Sequence, residues 1–350
     1  MTDSITTDRI LRLAGILTQA RRVTVVTHTR PDGDAVGSGT AMVSYLTGCL
    51  GAEARLTVAD AYSDTLDFIL GDEGADALLQ YDVKREETGA WVASSDLIVC
   101  LDCNGFERTG ALEEPLRASS ATKVLIDHHL GPHEEDFDLT FSETRISSAS
   151  ELLYHILVAL PGIDGDPSRL PMRALRALMA GMTTDTNNFA NSVFPSTLEM
   201  ASRLLAAGVD RDDILDRIYN RYRENRLRVI GYALKDKLTV MPNGTAYIVL
   251  DSKDLADHDV REGELEGLVN MPLALGEVRM SLLLKQDSAG YYRVSVRSKK
   301  GTSANCFAVK YFNGGGHEQA AGGRLYFPRD IAESSQAAAY VERAANDFLK

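Results

Sequence analysis

Histidine and aspartate side chains recur in this sequence at the ends of short apolar runs, where groups from distant parts of a chain can meet. Three apolar runs in the first half of the chain end in such groups, which are His28, Asp102 and the trio Asp127, His128 and His129. Asp32 and Asp34 follow His28 in a turn sequence, and Asp185 follows an apolar stretch. A Pro-Asp-Gly-Asp turn alone is ordinary turn chemistry, but three titratable groups directly after a buried strand are costly without partners.

This ligand set is typical of hard or borderline divalent cations. Carboxylates with a minority of imidazoles favour Mn²⁺ or Mg²⁺ over a thiolate zinc site. Six such groups exceed what one ion with an open position needs, whereas two ions roughly 3.5–4 Å apart would share one carboxylate. Such a pair lowers the pKa of a shared water and stabilises charge at a phosphoryl centre. The residues therefore predict a two-metal phosphoesterase.

The elements that must position these groups alternate between strand and helix. Strand-length apolar runs lie at 22–28, 54–58, 96–103 and 123–127, and helical patterns lie at 36–50, 63–70, 151–159 and 173–182. This alternation predicts an α/β fold with a mostly parallel, doubly wound sheet. The carboxyl ends of parallel strands share one edge, where open sheets bind ligands, so His28, Asp102 and His128 are expected at one crevice.

The second half of the chain predicts a smaller α/β domain. Its range is 241–350, and a helical connector at 195–240 joins it to the first domain at 1–194. We expect two helical stretches in the connector, at 197–207 and 212–235. In the smaller domain we expect a hairpin of 279–285 with 291–297 and a final helix at 331–348.

Composition limits the partners and the compartment. The 350 residues suggest two domains, and the net charge of −13 argues against long duplex nucleic acid as a partner. No apolar run reaches the roughly 18 residues of a membrane span, so we expect a cytoplasmic protein without a membrane partner. Cysteines are sparse, as in a reducing compartment, and Cys100 and Cys103 are expected as two separate thiols on opposite faces of a strand.

The motifs resemble, in order, those of the DHH family of phosphoesterases. The matching segments are 28–38, 101–102, 127–129 and 184–186, and segments 313–317 and 320–323 resemble the hallmark of the DHH-associated C-terminal domain. The resemblance spans nearly the whole chain. It is nearest to bacterial oligoribonucleases, or nanoRNases, that also dephosphorylate 3′-phosphoadenosine 5′-phosphate (pAp). A short oligoribonucleotide or pAp is therefore the substrate that the resemblance implies.

The resemblance also implies a role for each matched residue. Two divalent ions, Mn²⁺ or alternatively Mg²⁺, would be bound by His28 and Asp32, by Asp34, His128 and Asp185, and by Asp102 as the bridge. His129 would lie beside the substrate phosphate as a hydrogen-bond donor or leaving-group acid. Asp127 would orient a neighbouring ligand rather than bind metal.

In the C-terminal domain the resemblance implies contacts to a terminal phosphate. Backbone N–H groups of Gly314, Gly315 and Gly316 would approach that phosphate closely, and His317 would lie beside them. Arg297 and Ser298 are natural partners for the same group, and Asn305 matches a polar position of the family. A tight turn is the alternative for the glycines taken alone.

The sequence departs from its relatives after Thr186. Asn187 and Asn188 stand where close members often have a glycine and a basic residue, and Arg108 is a candidate to supply the missing charge.

Other functions stay open from the residues alone. They are a cyclic-dinucleotide or linear dinucleotide phosphodiesterase, an inorganic pyrophosphatase or polyphosphatase, and a non-catalytic nucleotide-binding module. The sequence is also compatible with a homodimer.

Overall fold

The computed structural model describes residues 5–71 and 77–349. They form two compact units that divide between Arg221 and Tyr222. This division falls inside the stretch 195–240 that the sequence suggests as a connector.

A parallel sheet lies at the centre of the first unit. Its six strands among the described residues, β1 to β6, are Arg22–Val26, Glu53–Val58, Leu78–Gln80, Leu97–Leu101, Thr122–Asp127 and Leu139–Ser142. The strand order is β3-β2-β1-β4-β5-β6, and every neighbouring pair is parallel. The predicted parallel, doubly wound sheet is confirmed. The order reverses between β1 and β4, and a ligand crevice opens at such a switch point.

Helices cover both faces of this sheet. In chain order, α1 to α9 are Thr7–Gln19, Gly33–Leu50, Asp67–Leu70, Arg85–Ser94, Glu113–Ala118, Ala149–Ala159, Met172–Asp185, Pro195–Ala206 and Arg211–Tyr219. Alternate residues of β4 enter two separate cores. Leu97 and Val99 pack in the core that includes residues of α2, α6 and α7, while Ile98 packs in the core that includes residues of α4 and α5. Burial on both faces explains why this strand is an unbroken apolar run.

Helices α2 and α7 approach each other closely through glycine. A Cβ on Gly181 of α7 would lie 3.0 Å from Asp34 Oδ1 of α2, and one on Gly33 of α2 would lie 2.4 Å from Thr184 Oγ1 of α7. Only a residue without a side chain permits this approach. It brings the end of α7, with Asp185, beside the start of α2.

Cys100 and Cys103 form a disulfide, so the expectation of two separate thiols is wrong. The strand β4 ends at Leu101, and Asp102 takes a left-handed conformation with φ of 57°. The chain therefore turns after the strand instead of continuing its alternation, and Cys103 comes back towards Cys100. Both cysteines are buried.

A mixed sheet lies at the centre of the second unit. Its strands, β7 to β12, are Leu238–Val240, Thr245–Leu250, Met280–Asp287, Tyr291–Ser298, Gly315–Gly316 and Ala320–Tyr326. The order is β11-β12-β10-β9-β8-β7, with β8 and β9 parallel and the other neighbours antiparallel. The predicted hairpin is confirmed as β9 and β10. Its helices, α10 to α13, are Glu224–Tyr232, Ser252–Asp257, Ala304–Tyr311 and Ala337–Phe348.

The predicted helical stretch 212–235 is two helices, α9 and α10. Between them Arg223 is extended, with φ of −66° and ψ of 151°. Its guanidinium pairs with Asp259 and lies 3.3 Å from Glu264 Oε1. No helix in the described ranges is long and apolar enough to cross a membrane.

Candidate metal centre

The crevice at the strand-order reversal receives side chains from three adjacent strands. His28, Asp102 and His128 follow the carboxyl ends of β1, β4 and β5, and β4 pairs with both of the other strands. The Asp102 N–H donates to Ile126 O at 3.1 Å, which extends the sheet pairing by one residue. Asp102 is 2 % exposed and His28 is 9 % exposed, so polar groups meet here largely shielded from water.

One triad consists of His28, Asp32 and Asp102. His28 Nε2 lies 3.5 Å from Asp102 Oδ2 and 3.9 Å from Asp32 Oδ1. The other ring nitrogen, Nδ1, lies 2.8 Å from Thr29 O, so it carries the proton of a neutral ring. Nε2 is then left with a lone pair directed at the carboxylates, as a metal ligand requires.

Asp32 is placed by its role as the N-cap of α2. Its Oδ1 accepts hydrogen bonds from Asp34 N at 3.0 Å and from Ala35 N at 3.1 Å. An aspartate at this position satisfies helix donors that would otherwise be unpaired. The second carboxylate oxygen stays available to a cation.

The other triad consists of Asp34, His128 and Asp185. One ligand atom from each lies within 4.8 Å of the others. His128 Nε2 is 3.7 Å from Asp185 Oδ2. The Asp34 carboxylate accepts from Ala149 N at 2.7 Å and from Ser150 N at 2.9 Å, at the start of α6, where the helix dipole favours negative charge.

Asp102, a member of the first triad, also faces the second triad. Its Oδ2 faces His28, and its Oδ1 lies 3.4 Å from His128 Nε2. Oδ1 is shielded from solvent and accepts no hydrogen bond from any residue that the structure describes. A buried carboxylate oxygen without a donor is costly, and a cation on each side of Asp102 would remove that cost. The donor set therefore fits two metal ions.

The electrostatics of the imidazoles show a site that favours positive charge. Burial alone would lower the pKa of His28, but hydrogen bonding and charge from Asp102 and the charge of Asp32 raise it to about 9. Burial is likewise overcome at His128, where Asp102 and other carboxylates raise the pKa to about 10. Groups that hold protons this firmly release them when a metal ion binds.

The pKa values of three carboxylates of the site are shifted in opposite directions. Burial, followed by the charge of Asp102, raises the pKa of Asp34 to about 7. Burial and the charge of Asp34 raise the pKa of Asp185 well above its ordinary value. At Asp102 burial acts upward too, but the two histidines outweigh it and hold its pKa well below the ordinary value. Carboxylates crowded in this way need cations to be ionised together.

His129 lies next to the second triad and is oriented by Asp127. His129 Nδ1 is 2.8 Å from Asp127 Oδ1 and 3.4 Å from Asp102 Oδ1. Asp127 is the last residue of β5 and is fully buried. A buried carboxylate that accepts from an imidazole fixes both the tautomer and the ring orientation.

Arg108 also lies at this crevice. Its backbone oxygen accepts from Thr29 N at 2.8 Å, and its charge acts to lower the pKa of His28. Sequence reasoning missed a second arginine, Arg211, which donates to Asn188 Oδ1. Asn188 follows α7 and Arg211 begins α9, so no local pattern in the sequence links these two residues.

In the second unit, Arg297 and Ser298 end β10. Arg297 Nη1 donates to Val296 O at 3.0 Å, and Ser298 Oγ donates to Thr302 O at 2.6 Å. The Ser298 hydroxyl therefore closes a turn, and its oxygen keeps a lone pair that can accept. Ser298 N donates to Gln319 O, which ties this strand end to the turn between β11 and β12.

The predicted glycine-rich segment forms β11 and the turn that follows it. A Cβ on Gly314 would lie 1.9 Å from Gly322 O, so close packing against β12 already requires glycine there. His317 follows β11 in the turn, and its N–H donates to Ala320 O at 2.8 Å. Asn305 Oδ1 lies 3.7 Å from the Cβ position of Gly315. The predicted residues of this unit thus lie around one end of its sheet.

Two protein-family models match the chain. The model of the N-terminal domain of the DHH family matches residues 22–182, and the model of the DHHA1 domain matches residues 244–343. The chain belongs to the DHH family, which indicates a phosphoesterase. The resemblance seen in the sequence motifs is confirmed.

Proteins similar to this chain are named for different substrates. The bifunctional oligoribonuclease and PAP phosphatase NrnA of Bacillus subtilis (strain 168) is 25% identical over 305 residues, 85% of this chain and 88% of that protein. The cyclic-di-AMP phosphodiesterase GdpP of Geobacillus thermodenitrificans (strain NG80-2) is 25% identical over 320 residues, 87% of this chain and 45% of that protein. The crystal structure of an exopolyphosphatase-related protein from Bacteroides fragilis has a TM-score of 0.90 and 31% identity, with 100% of this chain and 98% of that chain covered.

Proposed function

We propose that this chain hydrolyses phosphoester bonds in short oligoribonucleotides and in pAp, using two divalent ions, with Mn²⁺ as the metal. The observation that carries the proposal is the position of Asp102, which directs one carboxylate oxygen at His28 of its own triad and the other at His128 of the second triad. The name of the Bacillus subtilis relative supplies the pair of substrates.

The ligands follow from the two triads. His28 and Asp32 would hold one ion, Asp34, His128 and Asp185 would hold the other, and Asp102 would contact both. Two ions held in this way activate a water and neutralise charge on the attacked phosphoryl group. Carboxylates with imidazoles suit Mn²⁺, and Mg²⁺ is the alternative.

His129 would complete the chemistry as a proton donor. Asp127 accepts from its Nδ1 at 2.8 Å and holds the ring in place. A positioned imidazole lowers the barrier when it donates to the oxygen that leaves phosphorus. Asp127 is thus proposed as a positioning residue.

Substrate recognition would use the polar end of the second unit and one arginine of the first. Arg297, Ser298, Asn305 and His317, with backbone N–H groups of 314–316, are proposed to bind a terminal phosphate of the substrate. Arg108, close enough to His28 to act on its pKa, is proposed to contact the substrate beside the metals.

The substrate class is tested by offering the Mn²⁺-loaded protein four kinds of substrate. They are pAp, RNAs of two to five nucleotides, cyclic di-AMP and inorganic polyphosphate. We expect release of AMP from pAp and of mononucleotides from RNA. Release from cyclic di-AMP alone, or from polyphosphate alone, would replace the proposed substrate by that of another relative. An absence of release from all four would overturn the enzymatic function.

The metal assignment is tested by Asp102→Asn. Loss of groups that only orient metal ligands commonly costs 10–100-fold, so loss of the shared ligand should lower turnover by more than about 100-fold. Asp96→Asn is the matched control. Asp96 flanks the amino end of the same strand, and within the described ranges its carboxylate accepts only from the backbone N–H groups of Arg21 and Arg22. Circular dichroism checks that both variants fold. Normal turnover by Asp102→Asn would disprove the shared ligand.

A further inference from the structure

The loop that follows Asp185 has an unusual backbone. Asn187, Asn188 and Phe189 all lie in the left-handed region, with φ of 46°, 57° and 66°. The Asn188 N–H donates to Thr183 O at 2.8 Å, so the loop is fixed against the end of α7. Three consecutive residues with side chains in this region are costly, and such strain persists where surrounding contacts require the conformation.

Arg211, the first residue of α9, covers this loop. Its Nη2 donates to Asn188 Oδ1, and its guanidinium carbon lies 5.3 Å from the centre of the Phe189 ring. Its Nε is shielded from solvent and meets no acceptor within the described part of the chain. A permanent positive charge at the start of a helix opposes the helix dipole, so its position is not explained by the stability of α9.

A second arginine on the same helix, Arg217, serves as a comparison because it both stacks on a ring and pairs with a carboxylate. Arg217 stacks on Phe68 at 5.8 Å, and it also donates to both carboxylate oxygens of Asp213 at 2.9 Å. Its guanidinium therefore has a carboxylate partner, which it shares with Arg176. Arg211 stacks in the same way but forms no ion pair with a carboxylate among the residues that the structure describes.

The hydrogen bond from Arg211 also decides which way the Asn188 amide faces. Because Oδ1 accepts from the guanidinium, Nδ2 is the atom that remains on the exposed side, and it is a donor. The pair thus presents an unneutralised cation and an N–H donor together, which suits an anion. The ring of Phe189 is half-buried against the core and covered by the guanidinium, so stacking of a nucleobase on it is disfavoured.

We propose that Arg211 and Asn188 form a subsite for a phosphate of the substrate other than the phosphate being hydrolysed. This inference rests on the proposed function, because it assigns a phosphate of that substrate to the loop that follows the predicted ligand Asp185. The phosphate in question is an internal one, distinct from the terminal phosphate assigned to the second unit. The subsite makes the enzyme select substrates with a second internal phosphate, such as a 5′-phosphorylated trinucleotide.

The test compares pApApA and pApA with Mn²⁺ present, because the two share a terminal phosphate and only pApApA has a second internal phosphate. Arg211→Ala should raise KM for pApApA by about tenfold and leave kcat nearly unchanged, because a charged hydrogen bond to the ground state is lost. KM for pApA should change little. Arg211→Lys should recover part of the loss, and the control Arg217→Ala should keep the wild-type preference for pApApA over pApA.

Asn188→Asp provides a second variant that does not depend on the folding of the first. Aspartate tolerates the left-handed conformation, and its carboxylate would neutralise Arg211 and remove the Nδ2 donor. It should likewise raise KM for pApApA. An equal change in kcat/KM for both substrates, or no change for either, would overturn the subsite. If the wild-type protein hydrolyses neither substrate, the proposed function fails, and the subsite fails with it.

Discussion

At the scale of single residues, the buried Glu151 shows how the first unit holds a carboxylate that has no part in the metal centre. Glu151 Oε2 accepts from Ser147 N at 3.0 Å and from Thr197 Oγ1 at 2.7 Å, and the Ser147 hydroxyl adds a third bond. Burial would raise its pKa, but His155 and these donors outweigh burial and lower it to about 2. Glu151 thereby anchors α6, and the backbone N–H groups at the start of α6 donate to Asp34 of α2.

The lowered pKa of Glu151 predicts a specific dependence of stability on pH. Its folded pKa of about 2 lies below the ordinary 4.5, so ionised Glu151 stabilises the fold above pH 4.5 and that contribution is lost as the pH falls towards 2. The difference corresponds to about 3 kcal/mol. Urea unfolding at stepped pH should show the wild-type free energy of unfolding falling by about that much more than that of Glu151→Gln. Parallel curves for the two proteins would refute the anchoring role.

At the scale of elements, the metal centre depends on how closely three helices approach one another. Asp34 on α2 accepts from the start of α6, and Gly181 of α7 leaves the space for both. A Cβ at Gly181 would lie 2.1 Å from Ser150 Oγ and 3.0 Å from Asp34 Oδ1. The site is therefore built by helix packing as much as by strand ends.

Gly181→Ala should weaken both the fold and the metal site. Overpacking of this kind costs about 1–3 kcal/mol, and displacement of Asp34 should lower the affinity for Mn²⁺. Gly15→Ala in α1 is the control, because a Cβ there would meet no atom of the described residues within 4 Å outside the backbone of its own helix. That change should raise stability by about 0.5–1 kcal/mol. Urea unfolding and titration with Mn²⁺ measure both effects, and an unaltered Gly181→Ala protein would contradict the packing argument.

Long, unbroken apolar runs are the parts of this fold that a sequence predicts well. β1, β4 and β5 are buried on both faces, so their pattern is plain, and the groups at their ends could be assigned to one crevice. β3 and β6 have three and four residues, too short to show a pattern, and neither was predicted. The disulfide depends on the left-handed turn at Asp102, and the contact of Arg211 with Asn188 spans 23 residues, so neither leaves a local signal.

At the scale of the whole molecule, each of the two units has hydrophobic cores of its own. All predicted metal ligands lie before Arg221, in the unit built on the parallel sheet. One core of the second unit combines strands of the mixed sheet with α12 and α13. The proposed metal ligands and the proposed contacts to a terminal phosphate thus lie in different units.

Mn²⁺ alone should therefore slow hydrogen exchange only in the first unit. At a concentration 100 times its Kd, a ligand that binds only the folded state adds about 2.7 kcal/mol to stability. Hydrogen exchange measured with and without Mn²⁺ should show slower exchange around β1, β4, β5 and α7, and no change in β10 or β12. The Asp102→Asn protein should lose most of this protection. Slower exchange in β10 with metal alone would contradict the assignment of every ligand to the first unit.

The separate cores also bear on how such a protein diverges. Arg297 and His317 lie in the unit built on the mixed sheet, whose described core residues form a cluster separate from that of the parallel sheet. A substitution there can therefore alter the proposed phosphate contacts while the proposed metal ligands at the strand ends keep their packing. On this view, relatives named for different phosphorylated substrates are the expected descendants of one ancestral catalyst.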